Sequence, residues 1–169
     1  MVWVAYEKDA KDSGFDIKVM YAGFVALEQF ADRMGGGNVL QPESASELKG
    51  LLELMEDHQE KALKVMKEWT ISLGGRFTAG PLKKADRIVI KARSDYGGNL
   101  RKILDGVRAS AIFHSLEALD RAVRSLLEEG CLIIVIRLKE RFTQPLGSGY
   151  RDVLVGRVSK IIKNYQKKN

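Results

Sequence analysis

Three short stretches of this chain carry side chains suited to phosphate chemistry. Asp105 stands where a helical turn at 100–104 is predicted to meet a strand at 107–113. Lys83, Arg87 and Lys91 recur at every fourth position, so they share a face whether the segment is helix or strand. Lys139 and Arg141 follow an apolar run. Tyr150 comes after a loop containing Pro145, Gly147 and Gly149. Phosphoryl-type transfer needs a carboxylate to hold Mg²⁺, cations on the phosphate oxygens and a positioned nucleotide. Asp105 is the candidate catalytic and metal-binding carboxylate. Lys83, Arg87, Lys91, Lys139 and Arg141 are the candidate phosphate contacts. Tyr150 offers a ring for stacking a base, a contact worth about 1–3 kcal/mol. Each has a plainer reading: Asp105 caps a turn, the basic row is a solvated face, and Tyr150 is a half-buried strand residue.

Other kinds of site are set aside. His58 and His114 are the only histidines, and neither has metal-ligand spacing to Cys or an acid. No P-loop and no Gly-x-Ser-x-Gly elbow is present. Gly35-Gly36-Gly37 follows a helical pattern, which makes it a helix end.

The elements that must hold these residues follow from periodicity. Met20, Phe24, Leu27, Phe30, Ala31 and Met34 predict a helix over 15–34. Ser44-Ala-Ser-Glu47 reads as a capping box. Beyond it, Leu48, Leu52, Met55, Gln59, Ala62, Met66 and Trp69 form one helical stripe, closed by Gly74-Gly75. Residues 76–82 read as a loop, 83–93 as strand or helix, and 95–99 as a turn. Ser115 is placed to cap a helix carrying Leu116, Leu119, Ala122, Val123, Leu126 and Leu127, and Gly130 closes it. Residues 131–138 are apolar on both faces and predict a central strand, joined to 107–113 as a βαβ unit. A further strand is expected over 150–158. The expected fold class is α+β, with a mixed sheet of about four strands and flanking helices. A helical N-terminal segment covers 1–75, and 76–169 holds the candidate site.

Composition narrows the partners. With 28 Lys and Arg against 22 Asp and Glu, the net charge is +6 and the pI about 9.4. That balance favours polyanions such as nucleotides, RNA or acidic lipid surfaces. Lys160, Lys163, Lys167 and Lys168 load the C-terminal end. Cys131 is the only cysteine, so no internal disulfide forms, which suits a reducing compartment. The longest apolar run, 131–136, is too short to span a bilayer. The expectation is a cytoplasmic protein with no membrane span.

The joint order of these residues resembles the nucleotidyltransferase domain of RelA/SpoT-type (p)ppGpp synthetases, over roughly 83–155. Lys139-Glu-Arg-Phe-Thr-Gln-Pro145-Leu-Gly-Ser-Gly149-Tyr150 is similar, without a gap, to that family's Lys-Asp-Tyr-Ile-Ala-Asn-Pro-Lys-Pro-Asn-Gly-Tyr stretch. Asp105 and the strand after it resemble the family's Asp-led first strand. Lys83, Arg87 and Lys91 resemble its basic segment. The resemblance implies a nucleotidyltransferase-like fold and pyrophosphate transfer from ATP to GDP or GTP. Asp105 would bind Mg²⁺, Lys83, Arg87 and Lys91 would grip the ATP phosphates, Lys139 would lie near the acceptor phosphates, and Tyr150 would stack on guanine. The chain departs from the pattern after Tyr150, where 156–166 hold no acid in place of the family's second carboxylate. The implied function is therefore purine-nucleotide binding, with transfer only as far as one carboxylate supports it. The alternatives from other classes are a non-catalytic basic RNA-binding module, or an interaction protein assembling through the helix at 44–72.

Overall fold

The structure, a computed structural model, describes residues 2–6, 17–35, 38–128, 130–142 and 152–159. In chain order the elements are strand β1 (Val2–Tyr6), helix α1 (Ile17–Arg33), a 3₁₀ turn (Glu43–Ser46), helix α2 (Leu48–Ser72) and strand β2 (Arg76–Ala79). Helix α3 (Ala85–Tyr96), a 3₁₀ turn (Leu100–Lys102), strand β3 (Ala109–Phe113), helix α4 (Leu116–Ser125), strand β4 (Ile133–Glu140) and strand β5 (Val153–Ser159) complete it.

The strands form one sheet in the order β2-β3-β1-β5-β4. β1 and β3 are parallel, with Val2 opposite Ala109 and Tyr6 opposite Phe113. The other three pairings are antiparallel. The architecture is α+β with a mixed sheet, and it has five strands where four were expected. β3, β4 and β5 lie where strands were expected and 83–93 is mostly helical, so two of the five strands are unexpected, and β1 supplies one of them from the N-terminal segment, between β3 and β5. β2 supplies the other from residues expected to be loop. Its four residues are too few to show a period, and it forms because Phe77 packs on the core while the backbone pairs with β3.

The 131–138 segment is not central: β4 ends the strand order. Ile133, Ile134, Val135 and Ile136 are nevertheless all buried. Helix α1 packs against this strand and covers one of its faces, so burial here does not require a neighbouring strand on each side. β3 and β4 run in the same direction, as a βαβ unit requires, but β1 and β5 lie between them.

The 25 residues of α2 serve two apolar clusters. Val65 and Met66 join the core beneath the sheet with Met20, Phe24, Leu27, Phe113, Leu119 and Val135. Leu51 and Met55 join Ala45, Ile88, Ala92 and Ile103 in a second cluster. A straight helix drifts relative to a strict heptad, so Leu51 and Val65 are buried while Leu52 is only half-buried. The capping box does not form. Ser44 lies inside the 3₁₀ turn, and Glu47 is the N-cap with no side-chain cap bond. The turn presses its backbone onto the helix at Gly50, where an added Cβ would lie 1.9 Å from the Ser44 carbonyl oxygen. Ser115 does cap α4, its Oγ accepting from the Ala118 N–H at 3.2 Å.

Residues 83–93, open between strand and helix, lie mostly in α3. The helix stops at Gly97, whose φ of 60° only glycine adopts freely, and the Gly98 N–H donates to the Ala92 carbonyl. The expected turn at 95–99 is thus a helix end. Among the described residues no helix is long and apolar enough to cross a membrane.

Candidate functional site

Backbone contacts bring the candidate residues together before any side chain acts. The Lys83 N–H donates to the Gly106 carbonyl at 3.0 Å, which sets Lys83 beside the segment bearing Asp105. The Gly80 N–H donates to the Arg108 carbonyl at 2.9 Å, and the Arg108 guanidinium donates to the Pro81 carbonyl. From the other side, Gln41 donates through Nε2 to the Ile103 carbonyl and through its N–H to the Arg101 carbonyl. Arg101 in turn donates to the Gln41 carbonyl and pairs with Glu43. Gly106 lies so close to Met55 that a Cβ there would be 2.5 Å from Sδ. The segment carrying Asp105 is therefore seated on α2 and tied at both ends.

Lys83 and Lys91 both donate to Oδ2 of Asp105, each at 2.7 Å. Lys83 precedes α3 and Lys91 lies in its second turn, so two turns of chain converge on one carboxylate oxygen. The three side chains keep only 13%, 22% and 11% of their exposure, for Lys83, Lys91 and Asp105. A solvated basic face would leave its ammonium groups in water, and these are not. Burial alone pushes the Asp105 carboxyl up, but the hydrogen bonds and charges of Lys83 and Lys91 together outweigh it and hold it below the ordinary carboxylate value. Oδ1 is buried and has no hydrogen-bond partner.

Two residues not singled out from the sequence complete the face. The Tyr96 ring lies 5.9 Å from the Lys91 ammonium, and its hydroxyl accepts from Arg137 Nη1 at 3.1 Å. Tyr96 thus links α3 to β4. Reading Gly97-Gly98 as a helix cap would have placed Tyr96 on the same helix as Lys91. Nothing in the sequence brings Arg137 to it.

The remaining candidates are dispersed. Arg87 is exposed on α3, and among the described residues it makes no hydrogen bond or ion pair. Lys139 is exposed on β4, two residues beyond Arg137. Arg141 faces Asp152, its Nη1 3.3 Å from Oδ1, with Asp152 fully buried. Burial pushes the Asp152 carboxyl above its ordinary value, against the pull of Arg141 and Lys139. Tyr150, the loop from 143, the turn expected at 12–14 and the lysines from 160 onward lie outside the described residues.

Mg²⁺ fits this site only in a limited sense. Asp105 offers one unpartnered oxygen, Oδ1, while Oδ2 is engaged by two ammonium groups. Among the described residues no group of three or more His, Cys, Asp and Glu side chains is placed to hold a metal ion. A hard cation here would take most of its oxygen shell from a ligand and water, as Mg²⁺ commonly does with phosphates.

Compared with family models, curated proteins and solved structures, the chain matches none.

Proposed function

We propose that this chain is a RelA/SpoT-like, nucleotidyltransferase-fold protein that binds a purine nucleotide. The polyphosphate lies against Lys83, Lys91 and Arg137, beside Asp105. The observation that carries the reading is the convergence of Lys83 and Lys91 on one oxygen of a part-buried carboxylate. Two desolvated ammonium groups at one point form a receptor for an anion with several oxygens, and charge-assisted bonds to it are the strong kind. The Tyr96 ring and the exposed Lys139 extend the same face toward β4. Tyr150 is proposed to stack on the guanine of an acceptor nucleotide.

The reaction that accompanies this reading is pyrophosphate transfer from ATP to the 3′-hydroxyl of GDP or GTP. Lys83 and Lys91 would neutralise the donor phosphates and orient them. A divalent cation bound with the nucleotide would withdraw charge from the phosphate oxygens, with Asp105 as its protein ligand. One carboxylate is a sparse set for that task, and nucleotide binding does not depend on it.

Calorimetry with ATP, GDP and GTP tests the binding. Lys83→Met and Lys91→Met should each weaken it about 10- to 100-fold, the loss expected for one charged hydrogen bond. Unchanged affinity in the double variant would sink the proposal. Labelled ATP incubated with GDP or GTP and Mg²⁺ tests the transfer. Tetra- or pentaphosphate product supports it, and retained binding without product limits the protein to a binding role. RNA affinity that falls steeply with salt, with no nucleotide binding, would replace this reading by the RNA-binding one.

A further inference from the structure

The two lysines and Asp105 raise a question that nucleotide binding alone leaves open. The groups proposed to hold phosphate are already spent on a carboxylate, and the carboxylate proposed to hold a cation is already spent on the lysines. Both ammoniums donate at 2.7 Å to the same oxygen, Oδ2, and both are mostly removed from water. Each would lose its partner on leaving Asp105, and an unpaired buried charge is costly. The cluster also carries a net positive charge, two ammoniums against one carboxylate. A free dication approaching Oδ1 would meet that charge and share one carboxylate with two competitors. A polyphosphate changes both conditions at once. It gives the ammoniums new acceptors, and its negative charge reverses the sign of the site.

Resting on the nucleotide-binding reading, we infer that the Lys83–Asp105–Lys91 cluster is a closed form of the site, in which Asp105 stands in for phosphate. The lysines release Asp105 only onto a bound polyphosphate. The site therefore takes a divalent cation together with a nucleotide and excludes the free cation. The unpartnered Oδ1 is the atom that becomes useful once the lysines have moved. The exchange involves no covalent step.

The test uses the full chain, with Mn²⁺ and ATP as probes. Water-proton relaxation reports protein-bound Mn²⁺, and calorimetry reports ATP affinity with EDTA or with Mg²⁺. In the wild type, Mn²⁺ should bind only when ATP is present, with a relaxation enhancement beyond that of the Mn²⁺–ATP complex alone. Mg²⁺ should tighten ATP by about 5- to 150-fold, the usual range for coupled sites. Asp105→Asn should bind ATP more tightly than wild type in EDTA and gain nothing from Mg²⁺. Lys91→Gln should bind ATP more weakly and admit Mn²⁺ without ATP. Lys91→Gln keeps the question open to measurement should Asp105→Asn fail to fold. Equal Mn²⁺ binding with and without ATP in the wild type overturns the inference, as does ATP affinity indifferent to Mg²⁺. If ATP binds the wild type under neither condition, the nucleotide reading itself falls and takes this one with it.

Discussion

Asp105 is held by its neighbours as much as it holds them. Removing its charge leaves Lys83 and Lys91 close together and mostly out of water, so Asp105→Asn should destabilise the fold by about 3 kcal/mol, measured by urea unfolding at neutral pH. The pH dependence has a definite sign. The folded carboxyl titrates below 3.8, so its stabilisation is complete above that value and is lost as pH falls through the lower, folded one. Asp152 acts oppositely. Its folded carboxyl titrates above 3.8, so the native state binds the extra proton between the two values, and stability from this group rises as pH falls. Urea midpoints followed into acid should therefore fall less steeply in Asp105→Asn than in wild type. An unchanged acid profile in that variant would show that the ion cluster contributes nothing to folding.

At the scale of elements, short backbone approaches decide where helices begin and how loops sit. Gly50 lies in the first turn of α2, against the Ser44 carbonyl. Replacing a helical glycine by alanine ordinarily gains up to about 1 kcal/mol. Here the methyl would meet a backbone oxygen at 1.9 Å, so the steric cost wins. Gly50→Ala should destabilise by about 1–3 kcal/mol, read from the thermal midpoint, and a stabilised variant would contradict the seating of the 3₁₀ turn. The same geometry explains why Ser44-Ala-Ser-Glu47 does not cap the helix: its first serine is occupied in a turn one step upstream. Ser115, whose flanking residues have no such competing turn, caps as its sequence predicts.

The whole molecule is joined by α2, which enters both apolar clusters. The smaller cluster, with Ile88, Ala92 and Ile103, supports α3 and the segment before Asp105. The larger one lies on the sheet and includes the Trp69 ring, whose Nε1 donates to Ser125 Oγ at 2.9 Å. Ile88→Ala should cost about 2–5 kcal/mol. Because the helix is shared, tryptophan fluorescence and far-ultraviolet circular dichroism should report the same lowered urea midpoint. Two separated transitions would mean that the candidate site unfolds apart from the sheet.

Much of this was legible in the sequence because it depends on neighbours along the chain. Local periodicity fixed α1, α2 and α4, and the four-residue spacing of Lys83, Arg87 and Lys91 marked a shared basic face, of which Lys83 and Lys91 meet at Asp105 and Arg87 stays apart. The α+β class followed from the order of helical and extended patterns. What only the tertiary structure decided is which distant groups meet. A β-strand's place in a sheet depends on pairing partners far away in sequence, so β1 and β2 were unrecognised and β4 was expected in the centre. Asp105 looked like an open carboxylate because its sequence neighbours leave it free. Its partners come from positions 22 and 14 residues away, and the packing that excludes water there turns three ordinary charges into one coupled cluster.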